Sequence, residues 1–480
     1  MNTPNKQDAV SDAQGWALVL ASVASFMVVL DLLVVATALT TIRRDLDASI
    51  GQLEWTVNAY TLAFAVLLLT GAAVGDRFGR RRVFAAGLGV FVAGSAACAL
   101  APGVGALIAA RTVQGVGAAV VMPLALALLN AAVPPHRRGW AMGIFGSVTA
   151  LAVVVGPVLG GAITQGIAWQ WIFWLNVPVG LLTIRLAMSR LQESYGPRTA
   201  LDLPGMALGT GAGLGLVWGL VNGTSAGWTS PEVAGTLAAG ALLAVAFIAR
   251  ELRADTPMLP MRLFASRGFS AGNAVAFLVN ASVTGAVFFL AQFLQAGLGQ
   301  DPLGAGLRLL PWGVAPVLVA PRAGRLADRI GERPLVVSGL LLQAGGFAWM
   351  AIVAAPGMAY PALLAPLIIS SAGLGLTLPA VTKAVIGSVP RGDVGKASGS
   401  FSMIRQLGGA FGVAILSAVF AATGGYTSAA GFAPALAVAA GLALAGLPAG
   451  LALPGRTHPA PAEPAATPGR QVPSRSRTPR

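Results

Sequence analysis

An aspartate and an arginine stand where ionised side chains are costly to keep. Asp31 lies well inside an apolar stretch that begins near Trp16. Arg111 opens another motif, RTVQGVGAAVVMP, a few residues into an apolar stretch of its own. At 1.5 Å of rise per residue, Asp31 sits about 22 Å from the start of its stretch and Arg111 about 10 Å from the opposite start of its own. In a hydrocarbon core about 30 Å thick these depths nearly coincide. An Asp31–Arg111 pair, direct or through water, is therefore geometrically open. Its chemistry would be proton or substrate work, with a stationary ion pair as the structural alternative. Arg111, Gln114 and Gly115 recur at i, i+3 and i+4 and so share one helix face; Gly117 follows in the same motif.

The elements that must position this pair follow from composition. Of 480 residues, 56% are hydrophobic and 10% charged, against about 25% charged in soluble domains. So much apolar surface needs lipid as its solvent. Runs of about 20 apolar residues read as spanning helices. Fourteen are expected, near 16–39, 52–74, 83–101, 105–130, 140–164, 171–188, 203–221, 233–249, 270–293, 304–320, 335–355, 359–381, 399–420 and 431–453. The fold class is an all-α polytopic membrane protein.

The net charge of +14 would point a soluble protein toward nucleic acid. Here the basic residues gather in short alternate loops instead. One set holds Arg77 and Arg80–Arg82, Arg137 and Arg138, Arg185, Arg190 and Arg198, Arg250, Arg253, Arg262 and Arg267, Arg322, Arg325, Arg329 and Arg333, then Lys383, Arg391 and Lys396. The opposite loops hold Arg43 and Arg44, diluted by Asp45 and Asp47. That asymmetry places the first set in the cytoplasm, and an even number of spans puts both termini there too. The polar segment 1–14 carries Asp8 and Asp12 beside Lys6 and is not expected to be a cleavable leader. Cys98 is the single cysteine, and His136 and His458 stand apart, so no disulfide, metal site or cofactor is expected. Nor is there a phosphate-binding loop for ATP. An enzyme would need converging catalytic groups at one depth, and these spans offer few. A monomer is expected.

The chain also repeats itself. GDRFGR at 75–80 returns as ADRIGE at 327–332, pairing Asp76 with Asp328, Arg77 with Arg329 and Gly79 with Gly331. Pro134, Gly139, Ala141 and Gly143 return as Pro390, Gly395, Ala397 and Gly399. Two homologous six-span halves are implied, 15–190 and 251–453, with 191–250 inserted as a linker carrying two extra spans. Transporters built from such repeats run their path between the halves. The tail 454–480, rich in Pro, Arg, Ser and Thr, is expected to be disordered.

Two motifs bear on movement. In GDRFGRRR, residues 75–82, Asp76 can accept from helix N-terminal N–H groups or from a basic partner, a contact that could latch one conformation; Arg80 belongs to the same loop. The structural alternative is a basic loop that merely sets topology. In GPVLGG, residues 156–161, Gly156 and Gly160 form a small-xxx-small face beside Gly161, and Pro157 can bend the helix. Packing alone, or a hinge or seal, would each account for it.

Together these segments resemble the fourteen-spanner drug:proton antiporter branch of the major facilitator superfamily. GDRFGRRR resembles its loop motif, RTVQGVGA its fourth-span motif and GPVLGG its fifth-span antiporter motif. LDLLVVATAL at 30–39 and WQWIFWLNVPVG at 169–180 are similar to elements of the same branch. Ala72 stands where the loop motif usually begins with Gly, and Gln170 where Arg is common. The resemblance covers nearly all of 15–453. It implies a transporter in a bacterial cytoplasmic membrane that exchanges protons for amphipathic small molecules, with Asp31 and Arg111 in proton coupling. A proton-coupled importer or a non-transporting sensor are the rivals, and the GPxxGG element argues for export.

The residues left over bear on the substrate. In the second half Asp301, Asp328, Glu332 and Asp393 all fall in loops. Glu54 sits at the outer edge of the second span, near Trp55 and Asn58, while Arg308 and Arg405 are basic groups close to the path. A cation in a dry site generally needs a carboxylate, so a neutral, zwitterionic or weakly anionic substrate is expected along Glu54, Trp55, Asn58 and Arg405.

Overall fold

Backbone buried in hydrocarbon must satisfy its own hydrogen bonds, and a helix does so within one segment. The computed structural model of the chain, which describes residues 6–134, 137–196, 202–254, 257, 259–355, 358–390, 393–423 and 431–455, contains fourteen helices long and apolar enough to cross a bilayer. The expected tail from 456 on lies outside the described residues, as do His136, Arg198 and Arg391.

The first six spans are Gln14–Asp45, Gly51–Phe78, Arg80–Ala99, Val104–Ala132, Trp140–Gly166 and Trp171–Arg190. The seventh and eighth are Leu203–Gly223 and Pro231–Glu251. The last six are Arg267–Gly297, Pro302–Ala327, Glu332–Val353, Pro361–Gly387, Lys396–Ala422 and Phe432–Ala452. Local chemistry sets their starts. Ser49 and Gln52 form a reciprocal capping box on the second helix. Asp202, Ser230 and Asp301 each cap a helix whose first turn carries proline, where a missing N–H costs nothing. The repeat is visible in the backbone: Gly79 and Gly331 both turn the chain at positive φ, 106° and 88°, between paired spans.

The halves meet along two seams. The second span lies against the thirteenth, and the fifth against the tenth, an exchange of equivalent partners between two related six-helix units. The seventh and eighth spans form a hairpin closed by glycine, since a Cβ on Gly215 would stand 2.9 Å from the Gly240 Cα. Through Val217 and Val221 the seventh packs on Leu62 and Val66 of the second span and Ala410 and Ala414 of the thirteenth. The eighth turns Leu242 and Val245 outward, 71% and 64% exposed, as a lipid-facing helix does.

Candidate functional site

Glycine brings the fourth span close enough to its neighbours to bury an ion pair. A Cβ on Gly115 would collide with the Tyr60 backbone of the second span, and one on Gly117 with the Phe91 backbone of the third. In the resulting crevice Arg111 and Asp31 face each other, with side chains 0% and 1% exposed. Arg111 Nη1 donates to Asp31 Oδ2. The same nitrogen donates to Gln114 Oε1 at 2.7 Å, and Nε donates to the Thr56 carbonyl at 3.0 Å. The guanidinium lies 4.2 Å from the Tyr60 ring centroid, a geometry in which ring and charge attract.

Asp31 is saturated from the other side. Its Oδ1 accepts from Gln114 Nε2 at 2.8 Å and from Asn176 Nδ2 at 3.0 Å. Asn176 Nδ2 also donates to Ser95 Oγ, whose hydroxyl donates to the Phe173 carbonyl. Five spans thus meet in one cluster, with the fourth and sixth reaching the carboxylate of the first directly. Arg111 Nη2 and Asn176 Oδ1 have no hydrogen-bond partner among the described residues. Such buried atoms carry a desolvation cost that water or another arrangement would relieve. Sequence reasoning paired Asp31 with Arg111 but missed Asn176, Ser95 and Tyr60. The signal for Asn176 was an amide inside the WQWIFWLNVPVG segment.

The GPVLGG face stands at the junction of both halves. Gly156 packs on Leu33, and Gly160 on Val34 and Thr37, of the first span. Gly161 touches Pro302 and Leu303 of the tenth, and Pro157 presents its carbonyl to Gly306. Nearby, Thr40 hydrogen-bonds Gln295 across the halves and Gln295 Nε2 donates to the Thr37 carbonyl at 3.0 Å. Gln165 Nε2 donates to Asp301 at 2.9 Å, and Leu303 N donates back to Gln165 Oε1. The end of the bundle carrying Asp45 is thereby closed. Toward the other end, which carries Arg77, Gly146 of the fifth span and Gly324 of the tenth have no neighbour within 4 Å of a built Cβ.

In the basic loop, Asp76 accepts from Arg80 Nε at 2.7 Å, within one turn. The helix N-terminal N–H groups go elsewhere: Arg81 N and Arg82 N donate to Glu193, at 2.9 and 3.3 Å. Gly196 N donates to the Asp76 carbonyl and Arg80 N to that of Ser194, so the segment after the sixth span clasps the loop. Glu193 had no sequence signal beyond its charge. In the repeat, Lys383 pairs with Glu332 at 3.2 Å; Arg329 follows the Asp328 backbone, and the Asp328 side chain lies outside the described residues.

The residues expected along the path divide. Glu54 and Trp55 line a cavity of about 1180 Å³ between the second, fourth and seventh spans. Asn58 is fully buried, and neither of its amide atoms has a partner among the described residues. Arg405 lies in the thirteenth span, part-exposed.

The chain matches the family model of the Major Facilitator Superfamily over residues 21–272 and 272–478. It is 35% identical over 410 residues to the tetracenomycin C resistance and export protein of Streptomyces glaucescens, covering 85% of this chain and 76% of that protein. It is 38% identical over 419 residues to the cephamycin export protein CmcT of Amycolatopsis lactamdurans, covering 86% and 85%. In fold it is similar to a solved POT family transporter, with a TM-score of 0.68 at 16% identity over 89% of this chain and 94% of that one. The chain belongs to the Major Facilitator Superfamily, as a fourteen-span efflux transporter of the branch that holds antibiotic and multidrug resistance proteins.

Proposed function

We propose that the protein is a proton-coupled antiporter that carries amphipathic small molecules out of a bacterial cell, working as a monomer with both termini in the cytoplasm. The observation that carries this reading is the sealed Asp31–Arg111 cluster. Three side-chain donors, from Arg111, Gln114 and Asn176, hold this carboxylate. Protonation of Asp31 would release Arg111, and release of Arg111 would in turn make room for protonation. Because five spans meet at this point, that exchange is tied to the relative positions of the first and fourth helices. The same halves touch through the GPVLGG face at the Asp45 end. With the Arg77 end taken as cytoplasmic, the conformation is closed to the outside, and Asp31 waits for a movement that brings water to it.

Energetically one proton suffices for a useful gradient. A charge crossing about 100 mV yields about 2.3 kcal/mol, which supports roughly a fiftyfold concentration ratio. The basic loop, with Asp76, Arg77, Gly79 and Arg80 and its repeat at Asp328, Arg329 and Gly331, would then be the cytoplasmic latch. In this conformation Asp76 keeps to Arg80 of its own loop, as expected when that latch is open.

The test is transport in inverted membrane vesicles. Energised wild-type vesicles are expected to accumulate an amphipathic substrate and to lose protons as they do so. Asp31→Asn is expected to abolish uphill uptake while retaining downhill exchange of labelled for unlabelled substrate. Full proton-driven accumulation by Asp31→Asn would refute the role.

A further inference from the structure

The chain leaves the eighth span at Glu251 and enters the ninth at Arg267. Between them, residues 259–265 form a strap that packs on both halves. Leu259 is buried in a cluster with Leu69 of the second span and Met403 of the thirteenth. Phe247 of the eighth span and Met261 and Phe264 of the strap pack against the same cluster. Arg262 Nη2 donates to Asp393 Oδ1 at 2.6 Å, just ahead of the thirteenth span. The strap thus touches the first half, the second half and the added hairpin together, at the Arg77 end of the bundle.

A pair of carboxyl groups on the hairpin fixes the strap. Leu259 N donates to Glu251 Oε2 at 2.7 Å. Glu251 is 2% exposed, and the side chain of Asp202, at the head of the seventh span, 3%. Asp202 Oδ1 accepts from Gly205 N at 3.0 Å and from Arg250 Nε at 2.9 Å. That leaves Asp202 Oδ2 and Glu251 Oε1, and neither has a hydrogen-bond donor among the described residues. The two oxygens face each other: a Cβ on Gly205 would meet both at once, and the two carboxyl groups lie within hydrogen-bond reach. Among the described residues Arg250 is the cation that acts on the pair. Two oxygens that only accept can bond each other when one of them carries a proton. Two carboxylates beside one guanidinium also leave one charge unmatched in a site nearly closed to water, and a proton removes it. We infer that Asp202 and Glu251 share a proton, and that this proton locks the strap across the seam between the halves. Losing it sets two like charges side by side, which outweighs one backbone hydrogen bond to Leu259. Glu251 then turns toward water, Leu259 N loses its acceptor and the strap loosens. The lock is therefore present at acid pH and lost as pH rises. A strap held to both halves resists their relative movement, and its release permits it. Naming its side cytoplasmic rests on the orientation proposed above; the lock does not.

Full-length protein in phosphatidylcholine nanodiscs, on a Cys98→Ala background, carries Met261→Cys as a reporter of the strap. A second sample carries Arg253→Cys as an exposed reference. Labelling by a water-soluble maleimide is followed from about pH 5 to about pH 9, a range that brackets buried carboxyl groups. The rate at Met261→Cys, divided by that of the reference, is expected to rise about fivefold or more across this range. With Glu251→Gln added it should stay low and flat, because the amide donates to Asp202 Oδ2 and still accepts from Leu259 N without a proton. With Glu251→Ala it should be high at every pH. Asp202→Asn, which keeps a helix cap, should also be flat and carries the test if the Gln variant does not fold. Asp31→Asn should keep the full rise, so failure of the coupling mechanism leaves this result standing. A flat ratio without any of these changes, a full rise with Glu251→Gln or Asp202→Asn, a low rate with Glu251→Ala, or a rise lost with Asp31→Asn would overturn the lock.

Discussion

Gly161 of the fifth span and Pro302 at the head of the tenth lie backbone against backbone, so that a Cβ on Gly161 would stand 2.7 Å from the Leu303 Cα. Overpacking a tight contact costs about 1–3 kcal/mol. Gly161→Val should therefore shift the conformational balance away from the closed Asp45 end, by roughly tenfold. The check is a cysteine pair, Thr40→Cys with Gln295→Cys, on a Cys98→Ala background. Crosslinking by a short thiol reagent should fall several-fold with Gly161→Val and stay level with Gly146→Val, where a Cβ meets open space. Level crosslinking in both would reduce the GPVLGG face to packing.

The buried ion pair makes a second prediction, in which stability and coupling part company. Removing one partner of a buried pair costs about 3–5 kcal/mol, because the other charge is left stranded. Arg111→Ala should therefore lower thermal stability and cripple export. The double variant Asp31→Asn, Arg111→Gln should recover much of the stability, since neutral amides can share the hydrogen bonds of Gln114 and Asn176. It should recover no proton-driven transport. Thermal denaturation and vesicle uptake on the same preparations would show this. Uptake returning together with stability would make the pair a structural element only.

The parts of this molecule legible in its sequence are those set by local pattern and by depth. Apolar run length gave fourteen spans, all of them present. Counting rise per residue put Asp31 and Arg111 at one level, and they touch. What closes around them was not legible, because Asn176 arrives from a helix 145 residues away and its rotation depends on packing. Glu193 reaches Arg81 N over 112 positions for the same reason. Glu54 was read as bordering the path between the halves. Its opening toward the added hairpin depends on where that hairpin docks, which no periodicity specifies.

Topology offers a third prediction. Arg137→Cys and Arg329→Cys, each placed singly on Cys98→Ala, should react with a membrane-impermeant thiol reagent only from the cytoplasmic side, and Asp47→Cys only from outside. The physical ground is the retention of Lys and Arg in short cytoplasmic loops. Labelling of Arg137→Cys in intact cells would invert the orientation, and with it the direction assigned to the closed end.

The last prediction concerns charge on the central path. Three arginines were expected near it, and their surroundings differ. Arg111 is closed into the Asp31 cluster. Arg308 lies 5.3 Å from the Tyr360 ring centroid and donates to the Gly304 carbonyl at 3.2 Å. Arg405 is part-exposed within the thirteenth span, and among the described residues no acid pairs with its guanidinium. Its carbonyl accepts from Asn280 Nδ2 at 2.7 Å, and Gly409, one turn on, rests against Asn280 and Thr284. The ninth and thirteenth spans are thus joined at the Arg405 backbone, and a guanidinium that no acid meets among the described residues suits a carboxylate or phenolate on a substrate. Arg405→Gln should lower kcat/KM for a monoanionic aromatic compound about tenfold or more, while a neutral compound of similar size changes little. Arg405→Lys should restore part of the loss, since the charge returns without the planar fork. Paired uptake assays in inverted vesicles would measure both compounds against the same proton gradient. An equal fall for the neutral and the anionic compound would mean that Arg405 supports the helix packing and selects no charge.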